Sequence, residues 1–221
     1  MGSILAMAAV VSVVAGIAVV TTSKLHDLFG GGTPKDKKLA SLADEWRLGL
    51  REQRASLSKL KTEELDLLGQ ELLYERKLLK SRNREAGSIV TIYKEPVAVF
   101  VTEDFPKAKV PMRLTLVQTP TSEYLFRQEG ATWRVSIDKA PPLVLRDGEL
   151  TRADSAAVAK RIRMRDGRTL HVDRGERTLA ILLEKGVSKK VAPRAFEFVD
   201  VREDGDRNLL EVLTFDYLLH A

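Results

Sequence analysis

The sequence contains no cysteine. That excludes disulfide staples and thiolate metal sites, so any fold here is held by packing and hydrogen bonds alone. Histidine is scarce too. His26, His171 and His220 stand far apart, which argues against a histidine-built metal centre. No Gly-x-Ser-x-Gly elbow occurs, and Gly30-Gly31-Gly32 is not followed by the Gly-Lys-Ser/Thr of a phosphate loop. The acidic stretch 203–206 lacks the further ligands and the closing Glu of a calcium loop. No catalytic residue, cofactor site or metal site is therefore predicted. Charge of one sign is not concentrated along the chain either: the net charge is +5 in a sequence that is 30% charged, so no nucleic-acid partner is predicted.

What is present begins with one long uncharged run. Residues 2–23 carry no charged side chain, and residues 4–22 are apolar throughout apart from Ser12, Gly16 and two closing threonines. A hydrocarbon core about 30 Å thick needs roughly 20 helical residues, so residues 1–23 are predicted to form a transmembrane anchor. A signal peptide would want a basic n-region and a small-residue cleavage site, and neither is there. Lys24, Lys35, Lys37 and Lys38 follow the run and no basic side chain precedes it. The positive-inside bias then puts the bulk of the chain on the cytoplasmic side of a single-pass membrane protein. Ala8, Ser12 and Gly16 give one small-residue helix face, compatible with contact between copies in the bilayer.

Residues 24–34, with three glycines and Pro34, read as a linker. Residues 35–85 read as a helical stalk or hairpin. One apolar seam runs Leu39, Ala43, Trp46, Leu50, Gln53, Leu57, Leu60, and a second runs Leu65, Leu68, Leu72, Leu79. The five-residue step between them predicts two helices, about 35–60 and 63–84, with a break near Thr62. The seams suit either a coiled coil between copies or a cover for the protein's own sheet.

From residue 86 the pattern turns to β-branched and alternating runs, predicting an antiparallel β barrel or sandwich over 86–221. Strands are expected at Ser88–Tyr93, Val97–Val101, Met112–Leu116, Tyr124–Arg127, Trp133–Ile137, Leu143–Leu145, Leu179–Leu183 and Leu209–Leu218, with a short helix-like piece at Thr151–Val158. A hairpin is expected across Arg161–Asp173. A three-residue loop, Arg165-Asp166-Gly167, would pair Ile162 with Leu170 and put Arg161, Arg163, Thr169, His171 and Asp173 on one outer face. Arg161, Arg163, Arg165, Arg168 and His171 are accordingly the candidate anionic-ligand residues, since guanidinium forks fit phosphate. The whole reads as an α+β protein: an N-terminal transmembrane helix, an amphipathic helical stalk or hairpin, then the β domain. Its expected role is non-catalytic, a membrane-tethered binding or assembly subunit with a protein partner or a second copy of itself. An anionic lipid or phosphate-ligand binder is the alternative, and an enzyme the third.

Overall fold

The strands wrap around the chain's own last helix. The computed structural model describes residues 36–79, 82–106, 111–138, 140–152, 156–165, 169–184 and 193–220. The anchor and linker predictions, residues 1–34, lie outside them. Among the described residues no helix is long and apolar enough to cross a membrane. The elements are α1 (Asp36–Ala55), a 3-10 segment (Thr62–Leu67), β1 (Leu68–Leu79), β2 (Arg82–Thr91), β3 (Pro96–Phe105), β4 (Met112–Gln118), β5 (Glu123–Glu129), β6 (Thr132–Ile137), β7 (Leu143–Arg146), β8 (Glu149–Thr151), β9 (Ala157–Arg163), β10 (Thr169–Arg174), β11 (Arg177–Leu183), β12 (Phe196–Val199) and α2 (Asp204–His220).

The twelve strands form one antiparallel sheet in sequence order. It curls into a large, nearly closed barrel. Its first and last strands meet through the bridge Gly69–Arg194, with Gln70 N–H donating to the Pro193 carbonyl (3.0 Å) and Ala195 N–H to the Leu68 carbonyl (2.7 Å). Short connections set the neighbour order. At Asp147-Gly148, for instance, both residues take positive φ (49° and 79°), and Arg146 stands opposite Glu149. That is the two-residue hairpin turn whose twist matches the strands.

Residues opposite one another share a face of the sheet. The inner face runs Phe100–Val117–Tyr124–Ile137 in one row and Trp133–Leu145–Leu150–Ala159 in another. α2 fills the space they enclose. Leu210, Val212, Leu213, Phe215, Tyr217 and Leu218 are all buried in the same cluster as those strand residues. A helix that carries apolar residues on every side, with its few buried polar groups partnered from the wall, has this as its stable place. A second cluster lies outside the barrel. There α1 lays Leu39, Leu42, Trp46 and Leu50 on the outer faces of β2–β4, against Ala86, Val99, Val101, Leu114 and Leu116. Arg47 binds Glu123 (Nε to Oε1 2.8 Å) and Arg54 donates to the Thr119 carbonyl (2.9 Å), fixing the helix along the wall.

Several expectations are corrected. The predicted second helix, 63–84, is a short 3-10 segment followed by β1 and the start of β2. Nine residue pairs tie β1 to β2, from Leu68–Thr91 to Leu79–Arg82, and sheet pairing overrides the helix propensity of a Leu-, Glu- and Lys-rich stretch. The β domain therefore begins near residue 68 rather than 86. Of the two alternatives for the first seam, α1 takes the second: it covers its own sheet, and the seam is buried there rather than in a coiled coil. The predicted last strand, Leu209–Leu218, is the core helix α2. Of the predicted helix-like piece Thr151–Val158, Thr151 closes β8 and Ala157 and Val158 open β9, while residues 153–155 lie outside the described residues.

Candidate functional site

The structure places four of the five residues singled out as an anionic-ligand patch, Arg161, Arg163, Arg165 and His171, in different surroundings. β9 pairs with β10 through Arg163–Leu170, Ile162–His171 and Arg161–Val172, one position away from the predicted register. Because the side-chain period is two, that single step exchanges the faces. Arg161 and Arg163 join the inward side of the sheet. Ile162 and Met164 turn outward with Thr169, His171 and Asp173.

Arg161 reaches α2. One guanidinium nitrogen donates to the Leu213 carbonyl (2.7 Å), another pairs with Asp216 (3.0 Å), and the group lies 5.3 Å from the Tyr217 ring centroid. An inward arginine is tolerated here because its partners are a carboxylate and a carbonyl of the enclosed helix. Arg163 sits at the rim, two-thirds exposed and bound to Glu184 (2.7 Å). Arg165 is exposed, Arg168 lies outside the described residues, and His171 is half-buried on the outer wall. The four described residues do not converge on one site.

Polar groups on α2 are instead matched to the barrel interior along its length. Asp206, fully buried, accepts from Arg174 (2.5 Å), Arg177 and the Arg202 N–H. Burial pushes its carboxyl up, but these hydrogen bonds outweigh burial and hold it below the usual carboxylate range. Midway, Tyr124 donates to Glu211, which Arg207 also binds (2.8 Å) while donating to the Leu60 carbonyl (2.9 Å). Burial, reinforced by the Glu211 charge, drives the Tyr124 hydroxyl far up, so it remains a donor. At the far end His220 contacts Thr115 (3.0 Å) and Asp216 (3.3 Å), and stacks on Trp133 at 4.0 Å between centroids. Its ring is buried, which lowers its pKa despite the opposing pull of Asp216. Thr115 continues the chain to Thr102 (2.9 Å). These clusters hold a helix inside a barrel. Among the described residues no group of three or more His, Asp or Glu side chains is placed to hold a metal.

Two features of the described residues bear on what the barrel could bind. The first is a small cleft at the barrel mouth, about 30 Å³, lined by Leu60, Val97, Thr119, Phe196, Glu211 and Thr214 among others. The Thr214 hydroxyl is buried there without a hydrogen-bond partner. The second is an outward row on neighbouring strands, Ile162–His171–Ile181–Phe198, with Met164 beside it. Sequence reasoning missed that row because it chose the register that buried Ile162. The only signal for the alternative was the two-residue Asp166-Gly167 turn, which implies the observed pairing. No protein-family model, no curated protein and no solved structure matches this chain.

Proposed function

We propose that the chain is a membrane-tethered, non-catalytic binding or assembly subunit. Residues 4–22 hold it in the bilayer, and the barrel is presented to a protein partner at the cytoplasmic face. The observation that carries this reading is the occupied interior. A barrel that carries or transforms a small ligand keeps its lumen or mouth for it. Here α2 takes the lumen, and the cleft at the mouth has room for a water molecule rather than a substrate. What the barrel offers a partner is its outside. The anionic-ligand alternative loses Arg161, whose guanidinium is held by Asp216 and Leu213, and keeps Arg163 and Arg165 at the rim.

The test joins two measurements on the full chain in native membranes. Alkaline carbonate should leave it in the pellet. Photo-crosslinkers at the exposed positions Leu48 and Tyr93 should give one reproducible protein adduct, or a dimer of the chain. Carbonate release removes the tether. A chain that stays uncrosslinked and purifies alone and monomeric in mild detergent removes the binding role.

A further inference from the structure

The cleft at the barrel mouth is roofed by the chain itself. Residues 56–61, between α1 and the 3-10 segment, cross it as a strap that belongs to no helix or strand. Ser58 N–H donates to the Pro96 carbonyl (2.9 Å), and the Leu60 carbonyl accepts from Arg207 (2.9 Å). The other backbone bonds of the strap are local, to Gln53, Arg54 and Glu64. Ser56, Lys59 and Lys61 are exposed, while Leu60 is buried and lines the cleft with Leu65, Val97, Phe196 and Leu210. One side chain anchored in an apolar cleft, with backbone groups bonded to either side, is how a protein holds a peptide segment. The strap fills this seat incompletely. About 30 Å³ stays open beside Leu60, which forfeits packing contacts. The fully buried Thr214 hydroxyl has no partner in it, although buried hydroxyls are normally paired. In the turn that leads into Pro96, Tyr93 is 66% exposed, and tyrosine is enriched where protein contacts carry their binding energy.

We propose that this cleft is a peptide-docking seat closed by the chain's own strap, and that a partner protein opens it by inserting an aliphatic side chain in place of Leu60. The partner's backbone takes over the Pro96 carbonyl and Arg207, its anchor fills the space that Leu60 leaves open, and a polar atom beside the anchor completes Thr214. Tyr93 meets the flank of the incoming segment. The inference rests on the reading above that the chain binds a protein partner, and it names the place. Until that partner arrives the attached strap, at about millimolar effective concentration, keeps the seat shut.

The probe is a fluorescein-labelled peptide of the chain's own residues 54–63, titrated against the full chain in phosphatidylcholine nanodiscs. Leu60→Ala in the protein vacates the seat, so that variant should bind the peptide. The unaltered chain should bind it about tenfold more weakly, as a competing millimolar strap implies for a peptide Kd near 0.1 mM. Alanine in place of leucine at position 60 of the peptide should weaken binding about thirtyfold, which is about 2 kcal/mol for one buried leucine side chain. Hydrogen exchange on the unaltered chain reads the same event without a substitution. Saturating peptide should speed exchange at the Ser58 amide, and the alanine peptide should not. No binding by a folded Leu60→Ala chain, equal affinity for the two peptides, or unchanged exchange at Ser58 would overturn the proposal. Strap exchange accelerated by lipid alone would give the seat to an acyl chain and overturn it too. Crosslinking from Leu48 and Tyr93 reads the binding role separately: adducts there, with a cleft that refuses the peptide, would keep that role and move the partner elsewhere.

Discussion

Glu103 shows how little tolerance the outer wall has for a missing partner. It is fully buried beneath α1 and receives Arg84 at 2.7 Å, while Arg84 lies 5.8 Å from the Trp46 ring centroid. Removing one member of a buried ion pair leaves the other charge uncompensated, at a cost of about 3–5 kcal/mol. Glu103→Ala should therefore destabilise the protein by that order in urea titration, and pairing Arg84→Met with Glu103→Leu should recover most of the loss. Thr214 poses the converse question. Its hydroxyl faces a cleft large enough for a water, with Thr119 and Glu211 nearby to share it. If water completes that group, Thr214→Val should cost about 1 kcal/mol; a more stable variant would mean a dry hydroxyl. Neither residue could be recognised from the sequence. Glu103 sits between Thr102 and Asp104 in a strand whose polar end looks solvent-exposed, and Thr214 lies in a segment that alternates well enough to resemble a strand.

The two long helices illustrate opposite degrees of legibility. α1 was readable because one face is apolar and the other charged, so its Leu39, Ala43, Trp46, Leu50 stripe stands out. Trp46→Ala should cost about 3–5 kcal/mol, as deletion of a large buried aromatic does, whereas Leu48→Ala, at a side chain 74% exposed, should stay within about 0.5 kcal/mol. Equal losses at the two positions in thermal or chemical denaturation would mean that α1 does not pack as described. α2 was unreadable for the reason that makes it a core. Surrounded by strands, it needs apolar side chains all round, and Leu209–Leu218 thereby loses the 3.6-residue signature. β1 fails the other way: its Leu, Glu, Lys and Arg favour a helix, and only the β2 partner fixes it as a strand. Most of β2–β7 and β11 could be read, since their apolar runs are bounded by Gly, Pro and Asp-Gly turns. The β9–β10 register could not. Choosing it requires knowing that Asp216, 55 positions beyond Arg161, waits inside to receive the guanidinium.

Across the whole molecule, the polar groups along α2 make stability depend on acidity. Asp206 titrates below the unfolded value of about 3.9, so the stability it contributes is present above that value and lost as pH falls through its lower folded pKa. His220 is depressed as well. Its contribution is intact above about 6.5 and declines as pH falls toward the folded value, because the unfolded chain takes up the proton first. The melting temperature should therefore begin to drop below about pH 6.5 and fall again in the range of carboxylate titration. His220→Gln should abolish the first decline and leave the second. An unchanged profile in that variant would exclude the histidine as its source.

The position of α2 in the chain has a consequence for biosynthesis. Every strand of the barrel leaves the ribosome before the segment that fills it, and contacts such as Tyr124–Glu211 and Arg207–Leu60 join residues 87 and 147 positions apart. Until residues 204–220 emerge, the inward faces of the nascent sheet have nothing to pack against. Such non-local closure is slow and exposes sticky surface meanwhile. Translation halted before residue 204 should therefore yield a chaperone-bound, protease-sensitive intermediate rather than a weakened barrel.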